Sequence, residues 1–185
     1  EKFGFIGMHP IPIRHGMTIG ELAYKINENG WLNSGKKVEL YIVKMQGWTR
    51  EMFFDDTGLE WIPPSPNIPD FETSLLYTGT CLIEGTNISE GRGTDTPFKI
   101  FGSPWLNSKK IINYLESKNF EGVEFKSISF KPKSINGKSI NPKYENMICE
   151  GVEIVVLNKE KILPLEIILH SLQFIHQNHP EFEFL

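Results

Sequence analysis

Residues 84–98 read Glu-Gly-Thr-Asn-Ile-Ser-Glu-Gly-Arg-Gly-Thr-Asp-Thr-Pro-Phe, and this stretch constrains the fold more than any other. Its three glycines free the backbone for positive φ and for close approach to a ligand, and Pro97 forbids helix continuation. The chain must therefore fold around a long irregular loop between apolar runs. Glu84, Asn87, Ser89, Glu90, Arg92, Thr94, Asp95 and Thr96 give that loop a dense set of hydrogen-bonding groups. Loops held on a rigid scaffold are where binding residues concentrate. Carboxylates, an arginine, hydroxyls and an amide suit a polar, hydroxyl-rich ligand such as a sugar. The alternative is a solvated loop whose Asn and Ser make local turns.

At 185 residues the chain is long enough for one ordinary domain with a real core. It is 39% hydrophobic and 23% charged, with a net charge of −4 and no long basic block, which argues against a nucleic-acid partner. No apolar run approaches the ~20 residues that cross a membrane, and no signal peptide stands at the start. The first residue is Glu1, not methionine, so the sequence reads as cut from something longer. Of the two cysteines, Cys81 and Cys149, the expectation is a pair of buried free thiols, with a disulfide as the alternative in an exported protein.

Thr18 and Glu21 form a capping box before Ile19, Leu22, Ala23 and Ile26, which places a helix at 18–29 ending at Asn29-Gly30. Val38–Met45 is apolar and β-branched and reads as a strand. Residues 61–69 hold four prolines in nine positions, with Trp61 and two isoleucines, and read as a rigid wall packed on the domain. Asp70 caps a helix through Leu75, Leu76 and Tyr77. A strand is expected at 98–101, a helix at 107–118, strands at 123–130 and 152–157, and a helix from Pro164 to Gln177 that His179-Pro180 ends. Asn136-Gly137 marks a turn in the polar loop 131–143. Strands and helices interleave, giving an α/β domain, with mixed α+β as the variant.

Glu84 and Glu90 are weak candidates for catalytic carboxylates: two acids flanking a bond serve glycosidases, but a loop spacing of six fixes no distance. Either one can instead orient Arg92 or cap backbone amides. Arg92 lies between two glycines and can bind an acidic ligand group or lock Glu84 or Asp95 in a structural pair. Arg14 and His15 are candidate site residues beside Gly16, with a structural histidine as the plainer alternative. His170, His176 and His179 lack a Cys or acidic partner to complete a tetrahedral metal site. No P-loop, dinucleotide fingerprint or nucleophile elbow occurs, and no cofactor is expected.

An ordered series of motifs points further. It runs Pro10-Ile-Pro-Ile-Arg-His-Gly-Met-Thr-Ile-Gly-Glu-Leu22, Met45-Gln-Gly-Trp48, Asp56-Thr-Gly-Leu59, Trp61, Pro64-Ser-Pro-Asn67, Gly79-Thr-Cys-Leu-Ile-Glu-Gly-Thr-Asn87, Ser89-Glu-Gly-Arg-Gly-Thr94, Pro97-Phe98 and Gly102-Ser-Pro-Trp105. The series resembles the NamZ family of exo-β-N-acetylmuramidases, densely over residues 8–106 and more loosely through Gly151-Val-Glu-Ile154. The resemblance implies an exported bacterial glycosidase that removes terminal N-acetylmuramic acid from the non-reducing ends of peptidoglycan fragments. It implies a Rossmann-like N-terminal domain, a C-terminal α/β domain and an active site in the cleft between them. The family's proposed catalytic glutamate belongs to the N-terminal domain, most of which is absent here, and is not transferred to Glu84 or Glu90.

Residues 1–35 are expected to be the end of that N-terminal domain with a connecting helix, and 36–185 the C-terminal domain packing against it. Periplasmic, extracellular and envelope-anchored locations all fit. On this view Arg92 pairs with the lactyl carboxylate of muramic acid, while Asn87, Glu90 and Thr94 engage acetamido and hydroxyl groups and Asn67 assists from the proline-rich wall. A non-catalytic module that binds cell-wall glycans is the competing reading.

Overall fold

The computed structural model describes residues 7–12, 15–32 and 35–185. The chain divides into two compact units, one running to Phe53 and the other from Phe54 to Leu185.

In the first unit, helix α1 spans Ile19–Glu28. Its capping box forms as the sequence requires: the Glu21 N–H donates to Thr18 Oγ1 at 3.2 Å, and the Thr18 N–H donates to Glu21 Oε2 at 2.8 Å. The buried Asn27 amide then turns the chain back, donating to the Val38 carbonyl at 2.9 Å and accepting from the Val38 N–H at 2.8 Å. Arg50 closes the unit on the Glu21 carboxylate at 2.6 Å and on the Gly16 carbonyl. The strand expected at 38–45 does not form: a strand needs a ladder partner, and the described residues supply none. Tyr41 and Val43 are 80% and 96% exposed, and Val38, Leu40, Ile42 and Met45 are exposed beside them.

The second unit holds a three-stranded antiparallel sheet: β1 (Ile100–Ser103), β2 (Val123–Phe130) and β3 (Cys149–Val156), in the order β1-β3-β2. Phe101 pairs with Val152, and Phe125 with Ile154. These four residues lie on the face that carries the main core, where α2 (Phe71–Thr80), α3 (Ser108–Glu116) and α4 (Pro164–Asn178) bring Leu76, Ile111, Leu115, Ile167, Ile168 and Ile175. Ile100, Phe130 and Cys149 form a smaller cluster through the alternate residues of the same strands. The result is a mixed α/β fold of the α+β kind, with helices gathered on an antiparallel sheet.

Local signals set these elements. Asp70 caps α2 by accepting from the Thr73 N–H at 2.7 Å, and Asn107 caps α3 from the Lys110 N–H at 3.1 Å. Gly79 permits the close crossing of α2 and α4, where a Cβ would stand 2.2 Å from the Pro164 carbonyl oxygen. The proline-rich segment packs through Trp61, edge-on to Phe54 at 5.0 Å and to Phe71 at 6.3 Å. Cys81 and Cys149 are free thiols, half-buried and buried respectively.

Candidate functional site

The 84–98 loop is irregular and well anchored. A 3₁₀ turn over Cys81–Gly85 leads into it and carries Glu84. Ser89 exchanges backbone hydrogen bonds with Gly102 at 2.8 and 3.0 Å, so the loop runs as a short extra edge beside β1. Upstream, Asn87 N–H donates to the Glu183 carbonyl at 3.0 Å and Leu185 N–H to the Gly85 carbonyl at 2.9 Å, so residues 183–185 lie alongside 85–87. Gly93 has φ +81°, and a Cβ there would meet the Lys133 carbonyl oxygen at 2.5 Å. Its own carbonyl accepts from Lys133 N–H at 2.9 Å, tying the tip of the loop to the β2–β3 connection.

Four charged groups meet inside this frame. Arg92 Nη2 lies 2.5 Å from Glu84 Oε1, and Arg92 Nε lies 3.6 Å from Glu90 Oε1. Lys143 Nζ stands 3.1 Å from Glu90 Oε2. Two carboxylates and two cations leave the cluster neutral. The Glu90 and Lys143 side chains, 6% and 24% exposed, form its base, and Arg92 and Glu84, 38% and 32% exposed, form its open face. The Arg92 guanidinium rides over the Phe98 ring at 5.3 Å, and Tyr77 meets the same ring edge-on at 4.8 Å. The Tyr77 hydroxyl donates to Glu84 Oε2 at 3.4 Å; burial first, then the charge of Glu84, hold its phenol above the ordinary value. Phe98 is fully buried at φ +61°, a conformation that costs a bulky residue energy and that the Phe98 N–H bond to the Glu90 carbonyl, 2.8 Å long, helps impose. Strain of this kind gathers at functional sites.

The structure thus brings Glu84, Glu90 and Arg92 together. Of the alternatives open to Arg92, the pair with Glu84 is the one formed. Asn87 spends its side-chain amide on the C-terminal segment, donating to the Glu181 carbonyl at 2.7 Å and accepting from the Glu183 N–H at 3.0 Å. Thr94 donates to the Gly91 carbonyl at 2.6 Å and accepts from the Thr96 N–H at 3.2 Å, which shapes the turn before Pro97. Asn67 is buried and donates to the Lys138 carbonyl at 2.8 Å. His15 belongs to the first unit, where its Nδ1 accepts from the Met17 N–H at 3.0 Å. Arg14 lies outside the described residues. His179 accepts at Nε2 from the Asn107 N–H at 3.2 Å, and His170 meets the Tyr114 hydroxyl at 3.3 Å, so both serve the fold. Lys143 and Tyr77 escaped the sequence reading. Tyr77 faces Glu84 one helical turn and a 3₁₀ turn later, a local signal that was available; Lys143 sits 53 or more positions from its partners and gave none.

The sequence model of the C-terminal domain of exo-beta-N-acetylmuramidase NamZ matches residues 75–185, and that of the N-terminal domain matches residues 1–72. The chain belongs to the NamZ family. It is 41% identical over 186 residues to the peptidoglycan beta-N-acetylmuramidase NamZ of Bacillus subtilis (strain 168), a match that covers 100% of this chain and 42% of that protein. Two crystal structures of DUF1343 family proteins from Bacteroides fragilis NCTC 9343 share the fold. One has a TM-score of 0.85 at 29% identity, covering 97% of this chain and 44% of the other. The second has a TM-score of 0.69 at 31% identity, covering 96% and 45%. This NamZ-family chain therefore spans less than half the length of the relatives it matches. Its 84–98 loop, with the charged cluster and strained Phe98, lies wholly within the region matched by the C-terminal domain.

Proposed function

We propose that the protein carrying this chain is a peptidoglycan glycosidase that removes terminal β-linked N-acetylmuramic acid, and that the 84–98 loop forms one wall of its substrate cleft. The name of the Bacillus subtilis relative supports the substrate and the reaction. The observation that carries the site is the open Arg92–Glu84 face above a buried Glu90–Lys143 base. N-acetylmuramic acid differs from N-acetylglucosamine by an ether-linked lactyl carboxylate. That carboxylate competes with Glu84 for the Arg92 guanidinium, whose planar fork matches a carboxylate bidentately. Glu84 then acts as an internal stand-in that keeps Arg92 aimed while the site is empty.

Glu84 and Glu90 are both engaged by cations, an arrangement that suits binding and orientation more than proton transfer. The acid that protonates the leaving oxygen is accordingly assigned to a part of the protein outside this chain. The exposed apolar row at 38–45 supports packing of the chain against a further domain of the same protein. Because peptidoglycan lies outside the cytoplasmic membrane, the protein is placed in the periplasm, in the medium or on the envelope. The same engaged carboxylates favour the second reading, a glycan-binding module without hydrolysis. Incubating the full-length protein with a chromogenic β-N-acetylmuramide and with its glucosaminide counterpart separates the two. Release from the muramide supports the glycosidase, whereas tight binding of the muramide without release supports the module.

A further inference from the structure

Lys143 sits on the β2–β3 connection, yet its ammonium is spent entirely on the residues that carry the site. It donates to the carbonyls of Ile83 and Glu84, each at 3.1 Å, and of Ile88 at 3.0 Å. An ammonium has three N–H donors, so all are taken. Its contact with Glu90 Oε2 at 3.1 Å is then a bare Coulombic one, in keeping with a buried carboxylate oxygen that lacks a hydrogen-bond donor. All four oxygens come from the one short run 83–90. Three carbonyl dipoles and a carboxylate converging on a point repel one another unless a cation fills it.

Two of these contacts fix the acids that hold Arg92: the backbone carbonyl of Glu84 and the side chain of Glu90. The connection that delivers Lys143 is itself fastened, by Lys133 N–H on the Gly93 carbonyl at 2.9 Å and by the Trp105 indole N–H on the Tyr144 hydroxyl at 3.1 Å. Without the ammonium, Glu84, Glu90 and Arg92 carry a net negative charge. The guanidinium is then drawn down onto the buried Glu90 and away from an acidic ligand.

We propose that Lys143 is a positioning residue: a built-in cation that organises residues 83–90 and, by neutralising Glu90, keeps Arg92 presented to the carboxylate of an acidic sugar. This rests on the reading of the 84–98 loop as the sugar site.

The test uses the full-length protein with Lys143→Ala, and with Lys143→Met as the variant that keeps the stem's packing. N-acetylmuramic acid and N-acetylglucosamine are the probes, read by calorimetry, with amide hydrogen exchange followed by NMR. Expected are a tenfold or greater loss of muramic acid affinity, little change for glucosamine, and faster exchange at the amides of 85–92 while the β2–β3 ladder stays protected. In Lys143→Ala, methylammonium, which brings back charge and N–H donors, restores both; tetramethylammonium, which has charge alone, does not. Muramic acid binding within twofold of wild type in both variants overturns the proposal. So does a loss shared equally by both sugars with the whole ladder deprotected, which marks a pillar of the fold only. If the wild-type protein binds neither sugar, the site reading fails on its own, and the exchange at 85–92 with its methylammonium rescue still decides the role of Lys143.

Discussion

Arg92 is the residue on which the functional account turns. It stays half-open with Glu84 2.5 Å away and with the Phe98 ring 5.3 Å from its guanidinium. Hydrogen bonds between charged partners contribute about 1.5–3 kcal/mol, so losing a guanidinium–carboxylate contact weakens binding by roughly 10–100-fold. Glu84→Gln is expected to act oppositely: with its competitor neutral, Arg92 is freer for an acidic ligand, and N-acetylmuramic acid binding tightens when measured by calorimetry. Weaker binding in that variant would mean that Glu84 itself contacts the sugar. The thiols offer a second residue-scale check. Burial pushes the Cys149 thiol up to about 11, whereas Cys81 is raised by burial and by Glu84 but stays half-exposed. The thiolate is the reactive species, so iodoacetamide at pH 8 is expected to modify Cys81 first and Cys149 only on unfolding, as peptide mass mapping would show.

The elements answer to local signals, which is why most of them were legible. Capping residues, helical periodicity and Pro164 are all read within one or two turns of the chain, and α1, α2, α3 and α4 begin where they stand. β2 also stands where its alternation puts it, whereas β3 begins at Cys149, three residues before the expected 152, and β1 at Ile100, two after the expected 98, because their ends are set by pairing across the sheet rather than by local pattern. The site was legible only in part. The Glu84–Glu90–Arg92 grouping lies within nine residues, but Asn87's partners are 94 and 96 positions away and Lys143's are 53 or more. No local pattern announces such pairings. Residues 38–45 show the converse: the β-forming composition is there, and the ladder that composition needs is missing from the described residues.

Two tests belong at this scale. Asp70→Ala is expected to cost about 1 kcal/mol through loss of the α2 cap, while Asp70→Asn keeps the cap. Burial raises the Asp70 carboxyl, but the Thr73 hydrogen bonds and Lys99 outweigh it and hold it below the ordinary value. Its ionic contribution is therefore complete above the ordinary carboxylate range and fades as pH falls through the lower folded value. The stability gap between wild type and Asp70→Asn in urea titrations should accordingly close below about pH 4. Gly79→Ala places a methyl against the Pro164 carbonyl and is expected to cost about 1–3 kcal/mol or more by the same measurement.

At the scale of the whole molecule, the chain carries a charged, irregular loop on a well-packed α+β unit, and an apolar row at 38–45 that stays exposed. Under the proposed function, the first of these selects an acidic sugar and the second is a surface for further protein. Glu84 and Glu90 are both held by cations, which under the proposed function leaves proton transfer to another acid. Hydrogen exchange of the amides at 38–45 is expected to slow by an order of magnitude or more when the full-length protein replaces this chain alone. Equal exchange in both would contradict packing of further protein on this row. The most direct measurement for the account is the pair of kcat/KM values of full-length wild type and Arg92→Ala on chromogenic β-N-acetylmuramide and β-N-acetylglucosaminide. The account predicts that the preference for the muramide falls by about 10–100-fold in the variant, as the loss of one charged carboxylate contact requires. An equal loss on both substrates, or no loss on either, would contradict it.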